Sequence, residues 1–428
     1  MSKKTFKIVA PMYDHSDYAW RILSARYGAD MCFTEMIHSE SLLREYNGKK
    51  NRNRNKKSVI INNKNTTDDL KDSDSNSLLV SNAHVVEFYK KFSTGVLDDR
   101  LVIQISGNNL DSMCTAGKIL MNYNAKYIDI NLGCPQNIAK RGNYGAHLAL
   151  NDKKSKSEDG SKFTKISSLV KGLSSNGIPV SCKIRIFEDL EETLEYCKIL
   201  EKSGCQMLTV HGRTVYQKGK DTGLADWNAI KKIKEVLKIP VIANGNILDY
   251  DDVIKCVDYT KCDGVMVAES HLQNPTLFCS GEFNTFVIFK EYLDICKDVK
   301  NSATIKEVRC HAYNIFKRII NKSRTMFFNK DFIFDGINNN CENIYHNETF
   351  NGNDIKTPKS LNNKNNKQIK MCDFLRERIG RCKNLNDFYK FNNDLENMID
   401  QSLMKDEEKR EIKILKATSR SGEKLNPI

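Results

Sequence analysis

The chain has no Cys-x-x-Cys pair, and its fourteen cysteines do not gather with histidines at metal-ligand spacings. That argues against a zinc site and fits free thiols in a reducing compartment. No apolar run is long enough to span a bilayer, and Met1–Lys7 is not a signal peptide, so no membrane association is expected. A cytoplasmic location is expected, with the nucleus or an organelle left open. Asn65-Thr66-Thr67 is a nominal glycosylation acceptor that would carry no sugar in the cytosol. No glycine-rich dinucleotide fingerprint follows the first strand-like run. A nicotinamide cofactor would therefore dock transiently, without a binding fold of its own.

What is present is charge. The 428 residues carry a formal net charge of +13, which points to a polyanionic partner. Two polar, Asn- and Lys-rich stretches contribute to it. Residues 47–77 and 329–368 read as low-complexity insertions, too poor in apolar surface to offset the entropy of ordering. Between Asn47 and Asn76 there are eight basic and four acidic residues, a surplus of four, so most of the excess lies elsewhere.

With the insertions set aside, short apolar runs recur at "FKIVAPM", "DMCFTEM", "LVIQIS", "YIDINLG", "VSCKIRI", "CQMLTVHG", "PVIANG" and "GVMVAE". Helical patterns lie between most of them, as at Leu190–Lys202, Trp227–Leu237 and Tyr250–Val257. Eight strands alternating with helices predict an α/β fold, a (β/α)8 TIM barrel. A doubly wound sheet is the alternative and normally has fewer strands. Beyond Phe278 the alternation stops. "IKEVRCHAYNIFKRIINK" sets Ile305, Val308, Ala312, Ile315 and Ile319 on one helical stripe, with Arg309, Lys317, Arg318 and Lys322 interspersed. "CDFLRERIGRC" and "NLNDFYKFNNDLENMI" also have helical spacing. The expected organisation is a barrel domain over residues 1–280 and a small C-terminal helical domain over 281–428. The charged helix faces fit either solvation or nucleic-acid contact.

Barrel enzymes work at the C-terminal ends of their strands. One parity of the strand residues, the one facing the interior, becomes polar there: Gln104 and Ser106, Asp129 and Asn131, Ser181, Lys183 and Arg185, Thr209 and His211, Asn244 and Asn246. Each residue alone has an ordinary structural explanation. Together they suggest a shared site, because Lys183 and Arg185 need partners inside a barrel. A large ligand with carbonyl and phosphate oxygens would supply them. "ANGNI" and "AES" follow the seventh and eighth runs, where barrels often bind phosphate. Pro11 and Met12 at the first strand's mouth offer a surface for a flat ring. In "INLGCPQNIAKRGNYGAHL", a strand ends in Gly133-Cys134-Pro135 and runs into Lys140 and Arg141.

These stretches, with "APMYDHSDYAWR", "LTVHGRTVYQKG" and "VMVAESHLQNP", resemble the dihydrouridine synthases, flavin enzymes that reduce uridine in tRNA. The likeness covers roughly Phe6–Phe278 and, more loosely, the tail. It is most like the eukaryotic branch acting on D-loop positions 16 and 17. The resemblance implies bound FMN, with NADPH or NADH as electron donor. The ring would lie over Pro11, Met12 and Tyr13, with Gln104 and Lys183 at its polar edge. His211 would contact the ring or the phosphate. Asn244, Gly245 and Asn246, with Ala268 and Glu269, would cradle the phosphate. Many relatives have Gly-Arg at 268–269, so here backbone N–H groups would replace an arginine. Hydride would pass to C6 of the uracil, and Cys134 would protonate C5, since a free thiol (pKa ~8.5) is mostly protonated at neutral pH. The base would flip out to reach the flavin, with Lys140, Arg141, Arg185 and Arg213 facing the RNA. The protein is expected to act on tRNA as a monomer, with no metal. A dihydroorotate dehydrogenase-like FMN barrel and an inactive RNA-binding relative remain as alternatives.

Overall fold

The computed structural model describes residues 4–47, 100–155, 162–280, 284–322, 327–329 and 368–400. Nearly all of both expected insertions lies outside these residues. Eight parallel strands close on one another: β1 (Phe6–Val9), β2 (Met31–Phe33), β3 (Leu101–Ser106), β4 (Tyr127–Leu132), β5 (Val180–Arg185), β6 (Cys205–His211), β7 (Val241–Asn244) and β8 (Gly264–Val267). Each pairs with the next in sequence, and β8 pairs back on β1. The predicted TIM barrel is therefore the fold observed. All eight apolar runs form barrel strands, although β2 is only three residues long. A two-residue strand at Ile37–His38, not foreseen from the sequence, pairs with Ile105–Ser106.

Strand alternation sorts the side chains into two cores. Ile103, Ile105, Ile128, Ile130, Cys182, Ile184, Leu208 and Val210 point outward and join the main core with the surrounding helices. Ile8, Met31, Phe33, Val102, Met207, Ile242 and Met266 form a separate cluster that fills the barrel. On the same inward parity, Val102 is followed by Gln104, Met207 by Thr209 and Ile242 by Asn244. The interior thus grades from an apolar plug to polar groups at the strands' C-terminal ends.

The helices follow from their sequence signals. Helix α1 (Tyr18–Arg26) is capped by Asp17. Helix α2 (Leu110–Met121) follows β3; α3 (Asn137–Arg141) and α4 (Ala146–Lys154) follow β4; α5 (Thr164–Ser175) precedes β5. Helices α6 (Leu190–Lys202), α7 (Trp227–Val236) and α8 (Tyr250–Thr260) match their expected spans within a turn, each started by an aspartate that accepts first-turn N–H groups. After the short α9 (Glu269–Gln273) come α10 (Thr285–Asp298), α11 (Ile305–Ile315), α12 (Lys317–Lys322), α13 (Met371–Arg381) and α14 (Leu385–Asp400). The predicted stripe is buried: Val308, Ala312, Ile315 and Ile319 pack with Phe289, Leu375 and Phe388, and Ile305 lies partly buried against them. This second core is not confined to the tail, because α1 contributes Ala19, Trp20 and Leu23 to it. No helix among the described residues is long and apolar enough to cross a membrane.

The junction between barrel and tail is polar at its centre. Asp17 is buried and bonds His311 at 2.6 Å. It also accepts from Tyr292 and from the Trp20 backbone. Trp20 stacks on the His311 ring with centroids 4.0 Å apart. Burial opposes the charge on Asp17, but His311, the Trp20 N–H and Arg21 outweigh it and hold the carboxyl below its ordinary value. Its contribution to stability is present above the unfolded value of ~3.9 and lost as pH falls through the folded value. Asp17→Asn should cost about 3–5 kcal/mol at neutral pH, as expected for breaking a buried pair. In urea unfolding, the gap to the unsubstituted protein should shrink as the pH is lowered below ~4.

Candidate active site

Cys134 sits half-buried in the turn after β4, and this turn has a complete set of hydrogen bonds. The Gly133 and Cys134 N–H groups donate to Asn131 Oδ1 at 3.1 and 3.0 Å. The Gly133 carbonyl accepts from Arg185 Nε at 3.0 Å. The Cys134 carbonyl accepts from the Ala146 N–H at 3.1 Å. The Pro135 carbonyl accepts from His147 Nε2 at 3.2 Å and Lys218 Nζ at 3.1 Å. Gly145 closes the arrangement with φ +64°, and a methyl group there would lie 2.8 Å from the Cys134 carbonyl oxygen. Only glycine meets both demands.

Below this turn the interior polar groups form a network. Asp129 is fully buried and accepts from Gln104 Nε2 at 2.8 Å and Ser181 Oγ at 2.7 Å. Asn131 Nδ2 donates to Gln104 Oε1 at 2.8 Å. Burial pushes the Asp129 carboxyl up to about 6, against the opposing hydrogen bonds and the charge of Lys183. Lys183, on β5 directly across from Asn131, is brought down to about 8 by burial and then by Arg185, with Asp129 opposing. Its ammonium has no hydrogen-bond acceptor among the described residues. Burial, then Lys183, Arg185 and Arg213, push His211 down to about 2, so its ring is neutral. His211 Nε2 accepts from Arg213 at 3.0 Å.

The expected site residues converge on this end of the barrel. Pro11 and Met12 are half-buried beside it, while Tyr13 is 75% exposed. Gly245 adopts φ +113°, and a methyl group there would come within 3.1 Å of the His211 ring. Asn244 is buried, with its amide donating to the Met266 carbonyl, so it braces β8. Ala268 precedes α9, and exposed Glu269 acts electrostatically on Arg213. Lys140 and Arg141 are exposed on α3, with no ion pair among the described residues.

Arg185 and Arg213, grouped from the sequence with the RNA-facing cations, are instead committed to the barrel. Besides Gly133, Arg185 donates to the Thr214 and Gln217 carbonyls. Arg213 donates to the Gly223 carbonyl, His211 and Asn246 Oδ1. The reason is desolvation: a half-buried guanidinium takes nearby carbonyls in place of water. His147 and Lys218 also support the turn, and neither stands out in the sequence. Ser181, on the polar parity, joins the site through Asp129. His147 and Lys218 act across loops, which no local pattern reveals. Among the described residues no cluster of histidine, cysteine, aspartate and glutamate is arranged to hold a metal ion.

A half-buried thiol stands at the mouth of a parallel barrel, over an interior of hydrogen-bond donors, at the strand ends where barrels of this kind carry their chemistry. The chain belongs to the dihydrouridine synthase family, whose profile, described as Dihydrouridine synthase (Dus), matches residues 8–68 and 74–407. It is 35% identical over 310 residues to a Mus musculus protein named tRNA-dihydrouridine(16/17) synthase-like, an alignment covering 72% of this chain and 54% of that protein. It is 33% identical over 329 residues to the tRNA-dihydrouridine(16/17) synthase of Schizosaccharomyces pombe, covering 73% of this chain and 70% of that one. For the enzyme of that name from Saccharomyces cerevisiae the identity is 35% over 323 residues, covering 73% and 65%. All three names include NAD(P)(+). The chain thus spans about half the length of its mouse relative (54%).

Replacing Gly145 tests the turn directly. Gly145→Ala must accommodate a positive φ and a clash with the Cys134 backbone. It should lower unfolding free energy by about 1–3 kcal/mol, measured by denaturant titration.

Proposed function

We propose that this protein is a tRNA-dihydrouridine synthase, reducing uridine at D-loop positions 16 and 17 with FMN and a nicotinamide dinucleotide. The observation that carries the reading is Cys134, held by hydrogen bonds on every backbone group of its turn above an interior lined with donors. The interior fits an acceptor-rich flavin phosphate. Ser106 Oγ and Thr209 Oγ1, both on the inward parity, are buried with no hydrogen-bond partner among the described residues. The Lys183 ammonium has no acceptor among the described residues, and Gly245 lets the chain pass close to Ala225 and neutral His211.

FMN, when bound and reduced by the dinucleotide, supplies hydride to C6 of the uracil. The residues do the rest. Gln104 and Lys183 direct N–H groups at carbonyl oxygens of the ring edge. Arg213, bound to Gly223, His211 and Asn246, would act on the phosphate end through its charge alone. Cys134 donates the C5 proton from its thiol.

A polynucleotide suits the rim better than a small molecule does. Among the described residues, the five most exposed large apolar side chains, at least 62% exposed, are Tyr13, Ile138, Tyr216, Leu224 and Leu248. All five lie on segments that follow the C-terminal ends of β1, β4, β6 and β7. Lys140, Arg141 and Lys218 lie among them. Two of the five, Tyr13 and Tyr216, are rings, and exposed rings near cations are the pattern that stacks unpaired bases and tracks a phosphate backbone.

The purified protein should be yellow, and NADPH should bleach it. Unmodified tRNA should restore the colour and gain dihydrouridine at 16 or 17. In Cys134→Ala the NADPH step should persist while dihydrouridine formation falls by about 10²–10⁴-fold. Full activity in that variant would remove Cys134 as the acid, and restoration of colour by a small pyrimidine instead of tRNA would favour a small-molecule barrel oxidoreductase. Replacing Lys140 and Arg141 together by alanine should weaken tRNA binding and make the salt dependence shallower by about one to two in log–log slope, read by filter binding.

A further inference from the structure

We propose that Asp129 is a positioning residue for Cys134, acting through Gln104 and Asn131. The three side chains form a series of hydrogen bonds in which every donor points the same way. At one end, the Gly133 and Cys134 N–H groups can only donate, so Asn131 must turn Oδ1 towards them. That directs Asn131 Nδ2 at Gln104 Oε1, 2.8 Å away. Gln104 must then offer Nε2 to Asp129 Oδ2, also at 2.8 Å. At the other end, an ionised carboxylate can only accept. Backbone donors and a carboxylate acceptor thus fix both amides from opposite ends.

Two consequences follow. The turn bearing the thiol is anchored to the barrel interior rather than only to neighbouring loops. The hydrogens left over, one on Gln104 and one on Asn131, are both donors, so the interior favours a ligand edge made of carbonyl oxygens. The location supports a dedicated role. Asp129 is fully buried and has no ion pair among the described residues. Gln104 from β3, and Ser181 and Lys183 from β5, face it. A buried carboxylate without an ion pair is costly compared with an apolar residue. Apolar residues already fill the barrel one layer below.

The inference rests on Cys134 being the acid, but its test does not need activity. Protein free of flavin and RNA is alkylated with iodoacetamide, and labelling of the Cys134 peptide is followed by mass spectrometry, with half-buried Cys114 as internal reference. Asp129→Ala should accelerate Cys134 labelling at least fivefold and leave Cys114 unchanged. Asp129→Asn should restore the rate to within twofold, because its Oδ1 still accepts from Gln104 while its Nδ2 donates to Ser181 Oγ. In the flavin-loaded protein, Asp129→Ala should slow reoxidation by tRNA more than tenfold. Should Asp129→Ala fail to fold, Gln104→Met cuts the series one link later and should give the same labelling change. Unchanged Cys134 labelling, or an asparagine variant that behaves like alanine, overturns the proposal. A protein that forms no dihydrouridine but shows the labelling pattern would refute the proposed function and leave the positioning role intact.

Discussion

The site depends on one constraint: every backbone polar group in the turn from Gly133 to Pro135 has a partner. A turn at the mouth of a barrel is half-wet, and an unpaired carbonyl or N–H there would leave several conformations close in energy. Here the partners come from four directions. Asn131 holds the N–H groups from below, Arg185 reaches from β5, Ala146 and His147 from α4, and Lys218 from the loop after β6. The thiol is therefore fixed by the barrel as a whole. This also explains why Arg185 is unavailable to a ligand on its Nε side.

The second determinant is unbalanced charge. Lys183, Arg185 and Arg213 crowd one side of the mouth: burial disfavours the charged form of each, and repulsion from Arg185 adds to this at Lys183 and from Arg213 at Arg185. His211, between them, is kept neutral by the same field and accepts a hydrogen bond instead of adding a fourth charge. Asp129 and Glu269 offset only part of this. An interior so arranged is relieved by an anion, and donors already aimed inward need no reorganisation when one arrives.

Much of this was legible in the sequence because barrels are written in two periods. Strand alternation separated Ile128 and Ile130 from Asp129 and Asn131, and the helical period found the stripe from Val308 to Ile319. Turn chemistry marked Gly133 and Pro135. What was not legible is whatever depends on contacts across the barrel. Arg185 and Arg213 have the same composition signal as Lys140 and Arg141. Only the fold shows that two of these cations face carbonyls and two face water. The same holds for Asn244: a polar residue at a strand end reads as a ligand contact, but its amide is taken by the next strand.

The helical tail belongs in this account as well. The loop from Pro11 to Ser16 is bordered by the barrel on one side and by the tail on the other. His15 donates through Nδ1 to the Tyr13 carbonyl and accepts from Asn314 of α11 through Nε2. Lys306 pairs with Asp14 at 2.6 Å and lies over the Tyr13 ring. One residue on, Asp17 caps α1 and binds His311. The tail therefore sets the conformation of the same loop that forms the expected flavin-facing edge. A tail that only gripped RNA would need none of these contacts; one that also shapes the barrel mouth needs all of them, and this couples the two cores through a single loop.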